Sequence, residues 1–484
     1  MVALSRKRKL ASYAKSKAVS AKRARRSHSL EWLRASRMKV INKIQSPVHV
    51  PMDFFIWGSG AMCELGLGPA AKTKEVKRPR LNPLLKKDEV GIVDFAPGGM
   101  HTLALDKDNR VWSWGNNDMG VLGRDTSHAK EVLRDADASD GDDEDADLNE
   151  AESTPGLVEG LPKEGKIIQL IATDNLSAVL LSSGEVYAWG TFRCNEGVLG
   201  FSRDVKVQKT PVRIENFDNI VQLAAGKDHI LALDTKGIVY AWGNGQQSQL
   251  GRKIIERTRM ASLEPRSFGL KNVKFIGSGE YHSFAITYEG KVFTWGLNQF
   301  GQCGIATNIE DGSIITRPTE IQELSDKDIV YITGGEHHTL ALSSSGEVYV
   351  FGRYDMKEIG IAKDKLPLDD CIKDARGAVR CLPVPTKLTT LPPIKSVSAG
   401  PHHSLALTRD GIVFAWGFAD TFAVGLGMLD EDVDRPTRIS NTATKDHSIE
   451  LIGCGGQFSA SAGNRLDEKD VDDRKQKVDL FEES

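Results

Sequence analysis

The sequence predicts an all-β protein, a seven-bladed β-propeller closed by pairing of its N- and C-terminal strands and preceded by a disordered basic arm. Three observations predict this fold. Two short motifs recur along the 484 residues, the distance between them is constant, and each end of the chain holds half a repeat. Self-similarity at a fixed period is the signature of solenoids and propellers.

The first motif, G-x-x-H-[ST]-x-A-L, leads into an apolar run and marks the entry to a strand. Degenerate copies begin at Thr173 and Gly455. Five fuller copies carry the histidines His101, His229, His282, His338 and His403. One ligand cannot use the same residue on five blades, so we expect these histidines to bond loop carbonyls between blades. A metal site is the alternative, and the separation of the repeats disfavours it.

The second motif is Trp-Gly, which follows the first by 13 residues. It occurs at Trp57, Trp114, Trp189, Trp242, Trp295 and Trp416, with Phe351-Gly352 as a seventh copy. Between the motifs lie two apolar runs joined by a turn such as DTKG or RDGI, which is the pattern of a β-hairpin. Trp57 has no first motif before it, and the copy at Gly455 has no Trp-Gly after it. We therefore expect the first strand to complete the last blade, which leaves no open sheet edge.

Charge divides the chain into segments. Residues 1–50 hold 14 of the 63 Lys and Arg residues and one of the 66 acids, so the remaining chain carries a net charge of −16. We predict a basic arm over 1–50, with a short helix over 31–44, and a propeller over 51–465. A solvated acidic insertion at 131–152 and a charged tail over 466–484 complete the prediction.

Composition disfavours several classes of protein. No apolar run reaches the ~18 residues of a spanning helix, and no secretory signal precedes the propeller. The 6 cysteines form no Cys-x-x-Cys pair, so we expect reduced thiols in a soluble intracellular protein. No Ser/His/Asp set, metal-binding motif or Gly-rich phosphate loop stands at a usable spacing, which disfavours an enzyme and predicts neither metal nor cofactor.

One repeat departs from the pattern. In six units the Gly of Trp-Gly is followed by a second Gly eight residues on, but in WGTFRCNEGVLG, from Trp189 to Gly200, the interval is ten. With these motifs, residues 52–463 resemble the family of the regulator of chromosome condensation, the chromatin-bound nucleotide exchange factor of the GTPase Ran. The long loop resembles that of true Ran exchange factors, and the acidic insertion and CELGLG resemble a fungal-type member.

The resemblance implies a site on one face of the ring. In Ran exchange factors the matching loop is a β-wedge that presses on the GTPase beside its nucleotide. Asp174 and Asp228 match acidic residues at the GTPase contact, and His337, rather than His338 of the scaffold column, matches a later histidine. The implied wedge comprises Phe192, Arg193, Cys194, Asn195, Glu196, Gly197, Val198 and Leu199.

The two variable positions of the first motif should lie together on this face. Asp174, Asp228, Glu280 and Glu336 make the face acidic, which is typical either of a solvated rim or of a docking surface for a basic partner. The other candidates for partner contact are Asn175, Tyr281 and His402.

Two basic segments predict chromatin contacts. Clusters in the arm suit a bipartite nuclear localisation signal, read by an import receptor, and free basic arms also bind DNA phosphates. Their residues are Arg6, Lys7, Arg8, Lys9, Lys22, Arg23, Arg25 and Arg26. In the family, a loop matching 251–266 meets the acidic patch of histones, which implies contacts from Arg252, Arg257 and Arg259. A solubilising tail and a solvated loop are the alternatives.

Together these features predict a guanine-nucleotide exchange factor for Ran, which stabilises the nucleotide-free GTPase while bound to the nucleosome in the nucleus, with no membrane partner. A non-catalytic propeller scaffold that binds chromatin or another partner is the alternative.

Overall fold

The computed structural model describes residues 39–47, 49–127, 147–306, 309 and 313–470 of the chain. The basic clusters of the predicted arm, residues 131–146 of the predicted insertion and the tail beyond residue 470 lie outside the described residues. Across the described residues the strands form seven blades, as the repeats predict.

Two strands, β1 (Asp53–Ser59) and β2 (Glu75–Leu81), open the propeller. Blades one to three follow, each an antiparallel sheet of four strands. They are β3 (Ile92–Pro97), β4 (His101–Asp106), β5 (Val111–Gly115) and β6 (Gly156–Leu157); β7 (Ile167–Ala172), β8 (Leu176–Leu181), β9 (Val186–Gly190) and β12 (Gln208–Arg213); and β13 (Ile220–Ala225), β14 (His229–Asp234), β15 (Val239–Gly243) and β16 (Arg266–Ser267). A separate hairpin of β10 (Phe192–Cys194) and β11 (Gly197–Gly200) interrupts blade two.

Blades four to six repeat the arrangement, with a fifth strand in blade five. They are β17 (Val273–Ser278), β18 (His282–Thr287), β19 (Val292–Leu297) and β20 (Ile314–Glu320); β21 (Ile329–Gly334), β22 (His338–Ser343), β23 (Val348–Arg353), β24 (Ile372–Lys373) and β25 (Val379–Lys387); and β26 (Ile394–Ala399), β27 (His403–Thr408), β28 (Val413–Gly417) and β29 (Val433–Arg438).

The seventh blade closes the ring with strands from both ends of the chain. β30 (His447–Cys454) and β31 (Phe458–Arg465) join the first two strands in the order β2-β1-β31-β30. The register between β1 and β31 runs from Asp53 opposite Gly463 to Gly58 opposite Phe458. Two strands from each end therefore complete the blade, and the predicted closure is confirmed.

Helical segments are few and short among the described residues. An α-helix, α1 (Glu150–Ser153), is capped by Asn149, whose side chain accepts the Ala151 N–H at 3.0 Å. Residues 147–152 of the predicted insertion therefore end in a capped helix, not in a solvated loop. The 3₁₀-helices are Ala71–Thr73, Glu256–Leu263, Gln322–Leu324 and Lys363–Lys365.

The core lies between the blades. All six residues of the second strand are buried in each of blades one to six, because neighbouring blades cover both faces of that strand. The indole of each repeated Trp is also buried, and Trp295 donates to the Gln249 carbonyl of the preceding blade at 2.8 Å. Loops between the first and second strands, and between the third and fourth, share one side of the ring, which we call the upper face.

The repeated histidines join consecutive blades. Each His Nε2 bonds a Ser or Thr hydroxyl on the second strand of the next blade, and we call this contact the inter-blade latch. The pairs are His101–Ser177, His229–Ser283, His282–Thr339, His338–Ser404 and His403–Ser459, at 2.8–2.9 Å. The expectation of direct bonds to loop carbonyls was wrong, because the hydroxyl makes that bond, as Thr339 Oγ1 does to Gln302 O at 2.7 Å.

Two blade junctions lack the latch. Between blades two and three, Leu176 replaces the histidine and Ile230 replaces the hydroxyl, and both side chains are buried in one apolar cluster. Between blades seven and one, Phe458 replaces the histidine, and the buried Thr102 Oγ1 has no hydrogen-bond partner. The first of these junctions carries Asp174 and Asp228 on its upper face.

The end of the predicted arm runs along the opposite, lower face. Residues 39–44 have no helix or strand, so the helix predicted over 31–44 is wrong in the part that the structure describes. Asn42 is buried, and its side-chain amide donates to the carbonyls of Asp234 at 3.1 Å and Val273 at 3.0 Å. Its backbone N–H also donates to Thr235 O at 2.9 Å. These contacts hold Asn42 against the hairpin turn of blade three and the start of β17 in blade four.

Candidate functional site

The long loop after Trp189 folds into a two-stranded hairpin on the upper face. β10 and β11 pair through Arg193 opposite Val198 and Cys194 opposite Gly197, with Asn195 and Glu196 in the turn. The two additional residues of this repeat therefore build an extra hairpin, which we call the wedge (192–199). The resemblance to Ran exchange factors implied a small β-structure here, and the structure has a hairpin at this place.

The base of the wedge is buried and its tip is exposed. Phe192 and Leu199 pack in the apolar cluster between blades two and three, whereas Val198 is 40 % exposed. Gly243 makes room for this base, because a Cβ there would lie 2.5 Å from Asp228 O and 2.8 Å from the Phe192 ring. Phe192 and Leu199 were predicted to contact a partner, and their burial corrects this: they hold the wedge on the propeller.

Blade three anchors the wedge through Asp228. The Arg193 N–H donates to Asp228 Oδ1 at 2.8 Å, which joins the first strand of the wedge to the loop before His229. Burial raises the pKa of Asp228 to about 6, and the bond from the Arg193 N–H opposes that shift. Asp228 therefore has a structural partner within the chain.

An acidic cluster contacts one lysine where the loops before the second strands of all seven blades converge. Lys227 Nζ lies 3.1 Å from Glu280 Oε2 and 3.5 Å from Asp174 Oδ2, and 5.6 Å from the centre of the Tyr281 ring. The sequence reasoning missed Lys227. Lys227 is the only basic residue at the second position of the first motif among the seven repeats. This exception could have identified it from the sequence.

The buried carboxyl groups of this cluster are costly to ionise. Burial raises the pKa of Glu280 to about 8, against the favourable charge of Lys227. The pKa of Asp174 is also raised, by burial first, with Lys227 again opposing. Burial lowers the pKa of Lys227, but the charges of Glu280 and Asp174 raise it by more. The pKa of Lys227 is therefore raised above its usual value, and the ammonium group stays charged at neutral pH. An additional cation at this face would therefore be favoured, since it would offset the cost of ionising these carboxyls.

His337 and His402 stand farther round the upper face. The His337 ring stacks on Phe300 with 4.7 Å between centroids, and its Nε2 lies 3.3 Å from Gln299 Nε2. His402 Nε2 lies 3.3 Å from Glu336 Oε2. Burial lowers the pKa of both histidines, with Glu336 opposing. The structure therefore places both predicted histidines and Glu336 on the predicted face.

Two of the remaining predicted contacts need correction. Asn175 is only 6 % exposed, and its backbone N–H bonds Thr173 Oγ1 at 3.2 Å, so it shapes the loop. Arg252 Nη1 donates to Ala241 O at 2.9 Å, and burial lowers its pKa to about 10. Arg252 is therefore part of blade three, whereas Arg257 is exposed in the same loop.

No group of three or more His, Cys, Asp and Glu side chains in the part of the chain that the structure describes is arranged to hold a metal ion. No helix of the described ranges is long and apolar enough to cross a bilayer.

Comparison with known proteins gives the family. Residues 53–461 match the family described as RCC1-like domain. The "Guanine nucleotide exchange factor SRM1" of Saccharomyces cerevisiae is 58 % identical over 438 residues, which are 89 % of this chain and 91 % of the relative.

Two solved structures have the same fold. One is a crystal structure of Prp20p from Saccharomyces cerevisiae, described with its binding properties to Gsp1p and histones; it has a TM-score of 0.84 and 53 % identity, over 91 % of this chain and 99 % of that one. The other is Kap60 bound to yeast RCC1 (Prp20), with a TM-score of 0.84 and 52 % identity, over 92 % of this chain and 98 % of that one. The chain therefore belongs to the RCC1-like family, and its high-identity relatives are the fungal members.

Proposed function

We propose that this chain is a guanine-nucleotide exchange factor for the small GTPase Ran, which acts without covalent chemistry while bound to chromatin in the nucleus. The observation that carries the proposal is the wedge: one repeat of seven is extended, and the extension is an anchored hairpin beside an acidic cluster. The names of the relatives support it, since one is a guanine nucleotide exchange factor and another was studied for binding to Gsp1p and histones.

The mechanism follows from linkage between two ligands of the GTPase. A P-loop GTPase holds its nucleotide through backbone N–H groups, a lysine and Mg²⁺. A factor that binds the empty GTPase more tightly than the filled one must weaken nucleotide binding by the same free energy. The exposed part of the wedge would occupy the region beside the phosphates, and its anchored base would resist displacement. No nucleophile or acid–base pair is needed.

The acidic cluster supplies the second part of the docking surface. Asp174, Asp228 and Glu280 would accept basic groups of the GTPase, and Glu336 with His402 would extend the contact round the ring. Ionised carboxyls with raised pKa values gain most from a new cation, because the cation lowers the cost of their ionisation. Complementary charge of this kind also speeds association.

Chromatin contact is a separate surface in this proposal. The exposed Arg257 would meet an acidic protein surface, and the basic clusters of the arm would bind DNA phosphates or an import receptor. The structure of Kap60 bound to the yeast relative supports an import receptor as a partner. Binding of the arm to DNA should fall steeply with salt, because each phosphate contact releases counterions.

The test compares the protein with a variant whose wedge is shortened. Restoring the interval between Gly190 and Gly200 from ten residues to the eight of the other repeats removes the hairpin and keeps a loop length that the fold uses six times. Release of fluorescent GDP from Ran should be fast with the natural chain and lost with the variant. Two residues inserted between Gly296 and Gly304 provide the matched control. Equal GDP release by the natural and shortened chains would instead favour the scaffold alternative.

A further inference from the structure

The turn of the wedge is held by side chains of the neighbouring blade. The Asn195 N–H donates to Gln246 Oε1 at 2.9 Å. Gln246 Nε2 donates to both carboxylate oxygens of Glu196, at 3.1 and 3.2 Å. Arg259 Nη1 donates to Glu196 Oε2 at 2.9 Å. Gln246 and Arg259 both lie between β15 and β16 of blade three, whereas the wedge belongs to blade two.

Arg259 is itself fixed. It belongs to the 3₁₀-helix Glu256–Leu263, and the last residue of that helix, Leu263, is buried in the apolar cluster that holds the base of the wedge. A second carboxylate, Glu256 Oε1, lies 3.3 Å from its Nη1. The Arg259 side chain is 28 % exposed, compared with 58 % for Glu196. The guanidinium group thus joins a carboxylate of its own helix to the carboxylate at the turn of the wedge.

We propose that Arg259 is a positioning residue for the wedge and not a residue of the chromatin-binding surface. This inference rests on the proposed function, since the position of the wedge matters for exchange only if the wedge acts on the GTPase. An acidic chromatin surface would have to compete with two carboxylates that already hold Arg259. Arg257, two residues away, is exposed, and no contact joins it to the wedge in the described part of the chain.

Charge reversal and rescue test the pairing. Arg259→Glu would place a third carboxylate between Glu196 and Glu256, and Glu196→Arg would place a second guanidinium against Arg259. The double variant R259E/E196R restores opposite charges at the same two positions. Lys253→Glu is the control, because it makes the same change of charge at an exposed position of the same loop.

Two readouts separate the inference from the proposed function. The first is release of fluorescent GDP from Ran, and the second is amide hydrogen exchange of residues 193–199, which needs no GTPase. An exposed ion pair contributes modestly, so we expect R259E and E196R each to slow GDP release about two- to fivefold and to speed wedge amide exchange by a similar factor. The double variant should recover most of both losses, and K253E should match the natural chain.

The outcomes are distinct. If the natural chain releases no GDP, the proposed function fails, and amide exchange still decides whether Arg259 holds the wedge. If R259E leaves both readouts unchanged and weakens nucleosome binding as much as Arg257→Glu does, Arg259 belongs to the chromatin surface and the inference is overturned. Failure of the double variant to recover either readout would also overturn it, because the charges would then not act on one another.

Discussion

Asp228 should have two separable roles, and two substitutions distinguish them. Its Oδ1 accepts the Arg193 N–H at 2.8 Å and holds the wedge, while its negative charge forms part of the acidic cluster. Asp228→Ala removes both. Asp228→Asn removes the charge and keeps a carbonyl oxygen where the N–H points.

The structure sets the expected magnitudes. A hydrogen bond to a charged group contributes about 1.5–3 kcal/mol and a neutral one about 1 kcal/mol. At ~1.4 kcal/mol for each tenfold change in rate, Asp228→Ala should slow GDP release from Ran about 10- to 150-fold. Asp228→Asn should remain about fivefold faster than the alanine variant, because the amide still anchors Arg193.

The assay follows fluorescent GDP release from Ran at several concentrations of each variant, with melting temperatures as a control for folding. Neither variant should lower the melting temperature near neutral pH, since burial and Asp174 make the ionised Asp228 unfavourable in the fold and its removal relieves that cost. Identical rates for the alanine and asparagine variants would refute the anchoring role. A natural rate with Asp228→Ala would remove Asp228 from the mechanism altogether.

The remaining predictions concern the latch, pH and the arm. Thr339→Val should destabilise the propeller by about 1–3 kcal/mol, because Thr339 bonds His282 and a carbonyl. Thr102→Val, at the same position of a repeat, should not lower the denaturation midpoint, because the buried hydroxyl there has no partner to lose. Affinity for Ran should rise between pH 6 and 8 as Glu280 ionises around its pKa of about 8, and titration calorimetry with Glu280→Gln should show a flatter profile. The same raised pKa makes folding less favourable as pH rises through that range, so the melting temperature of the natural chain should fall relative to Glu280→Gln. Deletion of residues 1–38 should abolish salt-sensitive DNA binding in a filter assay and leave GDP release intact, whereas Asn42→Ala should lower the melting temperature, because Asn42 bonds two carbonyls of the lower face.

The repeats made the fold predictable. Fixed spacing between two motifs identified seven blades, half-repeats at the ends predicted the closure, and comparison confirms the family. The interval of ten residues after Trp189 also located the wedge, because a scaffold repeated seven times shows its exceptions within one sequence.

Contacts between blades could not be predicted in the same way. Nothing in the local sequence indicates that Gln246 and Arg259 reach Glu196, since these residues are brought together only by the ring. The inter-blade latch could have been predicted in part. Leu176 and Ile230 change together at one of the two junctions that lack it, whereas Thr102 keeps its hydroxyl at the other. Comparing the histidine column with the hydroxyl column of the next repeat would therefore have indicated the pairing only in part.

The most direct test of the central claim compares the affinity of this protein for nucleotide-free Ran with its affinity for Ran·GDP, measured by surface plasmon resonance on the same immobilised chain. Linkage predicts binding to the empty GTPase that is tighter by at least about 100-fold, and release of the complex when GDP is added. Equal affinities for the two forms would contradict the account, because a factor that does not discriminate between them cannot promote nucleotide release.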